Sequence, residues 1–247
     1  MSLFGNLIGN LAYWRHLRGK VEMAEKTYAK AYVHGMTDPV KLGTYGVLLL
    51  RKGEYEDALM LFNQALKNRA LKPKVRLQIR MNRSLAYFKL GEIEKAIVAL
   101  EDIHKKNRSL RVYQSLGYVY IMAGEYEKAM EYNLEALEYD DEDPVILDNM
   151  GQLHYALGEY DKAREYFEKA FSYKQNQVDI LYHLSVIEEH DGNAEKALYY
   201  ASLANDCAIN TLNDVTPDEV RQRYARLSEQ AANKSALASV SGPEQES

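Results

Sequence analysis

The 247-residue chain is 47% hydrophobic and 27% charged, with a net charge of −5, which excludes a disordered chain and argues against general affinity for nucleic acid. Cys207 is the only cysteine, so no intramolecular disulfide exists, and five prolines with fourteen glycines favour helix over a turn-rich β fold. Twenty tyrosines against five phenylalanines and one tryptophan suit thin, half-exposed layers, because tyrosine buries its ring while its hydroxyl tolerates water.

The chain opens on MSLFGNLIGNLAYW, an apolar run interrupted by Asn6 and Asn10 and closed by Arg15 and Arg18. It lacks a basic leader and is too short to span a membrane, so it reads as the first helix of the fold. A register then repeats along the chain. Gly19, Gly53, Gly91, Gly124, Gly158 and Gly192 are separated by 34, 38, 33, 34 and 34 residues. Five residues after each glycine stands an alanine (Ala24, Ala58, Ala96, Ala129, Ala163, Ala197), and seven before it a small residue (Ala12, Gly46, Ser84, Gly117, Gly151, Ser185). Twelve after it come Ala31, Ala65, Ile103, Ala136, Ala170 and Ala204. Each glycine marks the end of one helix, where the left-handed conformation is needed, and the small residues let the next helix return closely against it. Asp38-Pro39 and Asp143-Pro144 each place an N-cap before a proline at the first helical position. The 38-residue interval implies about four extra residues in the loop around Asn68–Lys74. After the sixth hairpin, Thr216-Pro217-Asp218-Glu219 forms a capping box, and Val220, Tyr224, Leu227 and Ala231 follow at helical spacing.

These residues resemble the tetratricopeptide repeat, and YQSLGYVYIMAGEYEKAMEYNLEAL (residues 113–137) is close to its consensus. The resemblance covers roughly residues 5–210 and implies an all-α fold: a right-handed α-solenoid of six helix-turn-helix hairpins plus a C-terminal capping helix. The expected repeats are 5–38, 39–72, 77–109, 110–143, 144–177 and 178–211, with the capping helix at 217–232 and a disordered tail at 233–247. Departures are local: Arg80 and Arg83 stand where large apolar residues are usual, Asn133 replaces an aromatic, and Ala194 and Ala201 take two aromatic positions of the last repeat.

In that family the first helix of each hairpin lines a concave surface whose variable positions meet partner peptides. The resemblance thereby places Asn10 and Tyr13, then Val47 and Leu50, then Met81, Asn82, Leu85 and Phe88 in a groove. Tyr118, Ile121 and Met122 continue it, followed by Asn149, Gln152 and Tyr155, and last Tyr182 and Val186. The plainer alternative is that some of these side chains fill the tight inner curve. One subfamily clamps the C-terminal carboxylate of cytosolic chaperones. Asn82 and Arg111 match its pattern, but Gly43, Val47 and Ser115 do not, so that role is not expected.

No nucleophile elbow, phosphate-binding glycine loop, zinc-protease motif or cysteine pair is present. His183 and His190 lie seven apart beside Glu189 without a third ligand at metal spacing, His154 reads as a core residue, and Cys207 as a small hydrophobe. Seven basic residues and no acid lie between Gln64 and Arg83 (Lys67, Arg69, Lys72, Lys74, Arg76, Arg80, Arg83), whereas Glu125–Asp143 holds nine acids and one lysine. The basic ridge reads as solvated surface or a site for an acidic segment, with RNA a weaker third reading. The expectation is a non-enzymatic cytoplasmic adaptor without cofactor or metal, binding a protein or peptide in the groove. The competing expectation is a solenoid that self-associates into a homo-oligomer.

Overall fold

The computed structural model describes residues 2–209 and 214–240 and is helical throughout, with no strand among them. It divides into two compact units, Met1–Glu125 and Tyr126–Ser247. The first holds α1 (Ser2–Leu17), α2 (Val21–Val33), α3 (Pro39–Lys52), α4 (Tyr55–Leu66), α5 (Pro73–Lys89), α6 (Ile93–Lys106) and α7 (Leu110–Met122). The second holds α8 (Tyr126–Tyr139), α9 (Pro144–Ala156), α10 (Tyr160–Tyr173), α11 (Val178–His190), α12 (Ala194–Asn205) and α13 (Pro217–Val240).

Within the first unit α1/α2, α3/α4 and α5/α6 form hairpins, each docked on the next, and α6 packs on α7. Within the second, α9/α10 and α11/α12 form hairpins, α8 packs on α9, and α13 covers α12. The repeated register is realised in backbone geometry. All six anchor glycines have positive φ, from 72° at Gly19 to 86° at Gly53. At Gly53 the reversal lets its N–H reach the Leu50 carbonyl and that of Glu54 reach Leu49, at 3.2 and 3.0 Å, so the last turn of α3 is closed. The six alanines after the glycines are fully buried. Two of the small residues before them are filled by rings from the second helix. A Cβ on Gly46 would meet Phe62 Cε1 at 2.6 Å, and one on Gly151 would meet Phe167 at 2.5 Å.

Asp38 and Asp143 cap α3 and α9 as expected, each accepting from two backbone N–H groups of the first turn. The Thr216 capping box is likewise formed: Glu219 N–H donates to Thr216 Oγ1, while Thr216 N–H donates back to the Glu219 carboxylate. Three expectations need correction. The extra residues of the third repeat do not all enter its loop; α5 starts at Pro73 rather than 77 and runs 17 residues, against 13 in α7, α9 and α11. Residues 233–240, expected as disordered tail, continue α13, since Ala, Lys and Leu are good helix formers. Residues 241–247 of that tail lie outside the described residues, as do residues 210 and 211 of the sixth repeat. Most of the ridge arginines are structural: Arg76 donates to the carbonyls of Leu66 and Asn68, Arg80 pairs with Asp102 at 2.5 Å, and Arg83 reaches Asn63.

Asn133, the apparent departure in α8, is fully buried and satisfied. Its amide donates to the Ala129 carbonyl at 2.9 Å, and its Oδ1 accepts from Asn149 of α9 at 3.1 Å.

Candidate functional site

In the first unit the first helices α1, α3, α5 and α7 line one surface, and two hollows open there. A cavity of about 380 Å³ lies between α3 and α5, with Gly43, Val47 and Ile79 in its wall and His16 of α1 at its edge. A smaller one of about 160 Å³ lies between α5 and α7, where Leu85, Tyr118 and Val119 supply the apolar lining. Gln78 and Asn82 border both. The Asn82 side-chain oxygen accepts from Gln78 Nε2 at 3.1 Å, and Gln78 Oε1 accepts from Arg111 at 2.6 Å. A basic group, an amide and a second amide thus run in sequence over an apolar floor, with Arg51 and Lys74 on the rim. Helical spacing explains the grouping: Gly43 and Val47, like Gln78 and Asn82, stand four apart and share a face.

Gly43 keeps this floor open. A Cβ there would lie 2.9 Å from Ile79 Cδ1, so a lysine, as in the chaperone-carboxylate clamp, would require Ile79 to move. A broader depression of about 900 Å³ on the second-helix side, near Tyr32, Met60 and Leu90, lacks such a chain of amides over an apolar floor.

The groove residues expected from the sequence divide into two sets. Tyr13, Val47, Asn82, Leu85, Phe88, Tyr118, Tyr155 and Tyr182 are half-buried, and Met122 is exposed. Leu50, Met81, Ile121, Asn149 and Gln152 are buried, so for these the tight inner curve prevails. Asn149 is committed to Asn133, and Gln152 donates to Asp148 at 3.2 Å and to Asp214 at 3.5 Å. Phe88 and Tyr118 do stand on neighbouring first helices, but in edge-to-face contact at 5.3 Å. Part of their area is therefore spent on each other. Gln78, Ile79, Lys74, Val40 and Thr44 were missed. They sit one or two turns before Asn82 and Val47 on the same faces, a spacing that would have found them.

In the second unit the corresponding surface is occupied by its own side chains. His183 stacks on Phe167 and meets Tyr155 at its edge, its Nδ1 lying 2.8 Å from the Asp179 carbonyl. Burial holds its imidazole below the usual range, against the pull of Asp179. Arg223 of α13 lies 5.5 Å over the Tyr182 ring. His190 instead approaches Asp191, and Glu189 is taken by Arg223 and Arg226, so the two histidines share no ligand-like arrangement. No group of three metal-ligating side chains occurs among the described residues. His154 is buried as expected, stacked on Tyr166 with Nδ1 2.7 Å from Glu159.

Asp148 is the strained member of this surface. Its Oδ1 is shut from solvent without a donor. Burial first, then the Asp179 and Asp214 carboxylates, push its pKa well above the carboxylate range, against the hydrogen bond from Gln152. Because the folded value is raised, folding binds a proton between about pH 4 and that value, and stability falls as pH rises through this window. Asp148→Asn is expected to stabilise the chain at pH 7 by about 1–2 kcal/mol and to give little gain near pH 4. Thermal melts of both proteins across that range check it; an equal gain at both pH values would remove the carboxylate explanation.

Against this geometry stand the comparisons with known proteins. Sequence models described as tetratricopeptide repeat match residues 46–111, 110–143 and 144–176, together more than half of the chain. The chain belongs to the tetratricopeptide repeat family. Among curated relatives of this tetratricopeptide repeat protein, the anaphase-promoting complex subunit CDC16 of Saccharomyces cerevisiae is 30% identical over 116 residues, 45% of this chain and 14% of that one. A TPR repeat-containing protein of Methanocaldococcus jannaschii is 27% identical over 118 residues, 48% of this chain and 20% of its own length. The chain therefore spans only a small part of these relatives. A tetratricopeptide repeat protein from Parabacteroides merdae superposes with a TM-score of 0.76 at 18% identity, covering 90% of this chain and 84% of that one. A TPR protein of Thermus thermophilus gives 0.62 at 23% identity, covering 76% and 96%. At these identities the two structures speak for the fold alone. No helix among the described residues is long and apolar enough to cross a membrane.

Proposed function

We propose that this tetratricopeptide repeat protein is a non-catalytic adaptor that holds a partner peptide against α3, α5 and α7 of its first unit. Arrays of this family generally mediate protein–protein contacts. The observation that carries the reading here is the Arg111–Gln78–Asn82 chain laid over the floor of Val47, Ile79, Leu85 and Tyr118. Amides of that kind meet the backbone of an extended segment, while the floor takes its apolar side chains. The rim of Arg51, Lys74 and Arg111 favours a segment carrying an acidic residue. This placement is narrower than a groove along every first helix.

Peptides selected from a random display library on the full chain provide the test. Asn82→Ala combined with Tyr118→Ala is expected to weaken them by about tenfold or more, the size of losing a central anchor. Lys67→Glu with Arg69→Glu, on the exposed ridge, is expected to leave them nearly unchanged. The opposite pattern would move the site to the ridge.

A further inference from the structure

The first helix differs from the others in what it shows to solvent. Its inner side presses on the turn after α2: a Cβ on Gly5 would lie 2.4 Å from Met36 N and one on Gly9 2.7 Å from Met36 Sδ, and Ala12 is fully buried. Its outer side is also apolar. Leu3 is 78% exposed, Leu17 67% and Leu7 57%, with Phe4, Leu11 and Trp14 exposed beside them. A helix apolar on both sides is one that is covered on both sides.

The spacing on the outer face says by what. Leu3, Leu7, Asn10, Trp14 and Leu17 follow steps of four, three, four and three, the seam of two packed helices, and Asn10 is its one polar member, itself exposed. The seam reads nearly the same from either end. Leu3 and Leu17 lie seven residues before and after Asn10, and Leu7 and Trp14 lie three before and four after. A two-fold axis through Asn10 therefore sets Leu3 against Leu17 of the other copy and Leu7 against Trp14. It also sets Asn10 against Asn10, where each amide donates to the other's carbonyl. A self-complementary face of this kind is what an isologous contact requires.

We propose that α1 pairs antiparallel with α1 of a second copy of this chain, with Asn10 on the axis. Charge agrees: the Arg18 guanidinium lies 3.5 Å over the Trp14 ring of this face, so a parallel pair would stack Arg18 on its own copy, whereas the antiparallel pair holds the two about 24 Å apart along the axis, beyond the reach of screened repulsion. The six exposed side chains offer roughly 600–700 Å² per copy, close to the ~800 Å² per partner of a stable interface.

Sedimentation velocity of the full chain between about 1 and 100 µM is expected to show a reversible monomer–dimer equilibrium. Leu7→Glu with Trp14→Glu is expected to weaken it by about tenfold or more while the circular dichroism spectrum stays unchanged. In a Cys207→Ser background, Asn10→Cys is expected to cross-link two chains when diamide oxidises the paired thiols, whereas Leu3→Cys, seated against Leu17, is not. A chain monomeric throughout overturns the proposal, and co-sedimentation of that monomer with phosphatidylserine vesicles would give the face to lipid. A dimer insensitive to the glutamate pair, or cross-linked as readily through Leu3→Cys, overturns it equally.

Discussion

Phe167→Ala is expected to cost about 3–5 kcal/mol, the largest single-residue loss in the second unit. The ring is fully buried, fills the space left by Gly151, and lies flat against His183 with centroids 5.2 Å apart. Three elements, α9, α10 and α11, meet on it. Removing it leaves a cavity that Gly151 cannot fill, because it has no side chain to move inward. Denaturant unfolding of the full chain measures the loss. Gly151→Ala provides the converse change, since its methyl would enter the ring's volume at 2.5 Å. It is expected to destabilise the wild type and to recover part of the loss when combined with Phe167→Ala. A Phe167→Ala protein with an unchanged unfolding midpoint would contradict the packing described.

Deleting the chain from Asp214 onward is expected to lower the melting temperature and drive association beyond what the full chain shows. The deletion removes Val215, Val220 and Leu227, all buried against α11 and α12, and uncovers Ala197, Ala201 and Tyr200. It also strips Glu189 of two arginines, Arg223 at 2.8 Å and Arg226 at 2.5 Å, and Ser185 of the Arg223 guanidinium. Those ion pairs hold the Glu189 carboxyl below its ordinary range: the Arg226 hydrogen bond is foremost and outweighs burial, with Arg223 adding to it. Open ends of helical arrays need such a cover. Deletion from Asn233 removes only residues whose described side chains are exposed, and is expected to leave melting and size-exclusion behaviour unchanged. Equal behaviour of the two truncations would show that α13 does not act as a cap.

The hairpins were legible because glycine, alanine and small-residue positions are backbone requirements, and a requirement repeated six times leaves a periodic trace. Asp38, Asp143 and Thr216 were legible for the same reason: each satisfies N–H groups within its own first turn. What could not be read was how exposed a first-helix side chain would be. Asn82 and Asn149 occupy the same register, nine residues before their glycines, yet the first borders a cavity and the second is buried against Asn133. The difference lies in a residue of the preceding second helix, far from Asn149 in sequence. Arg76 and Arg80 likewise read as surface charge because their acceptors, the end of α4 and Asp102, come from other elements.

The buried amide pair of α8 and α9 bears on how a chain of near-identical hairpins avoids miswiring. The second helices resemble one another closely enough that several could dock beside α9. Were α4, α6 or α10 to take the place of α8, the residue in the register of Asn133 would be Phe62, Leu100 or Phe167. Each is larger, and none offers the oxygen that Asn149 meets at 3.1 Å. The substitute would overfill the gap and leave a buried amide short of an acceptor, a penalty of about 1–3 kcal/mol. One polar residue in an otherwise apolar series thus acts as an address, giving this junction an identity that its neighbours lack.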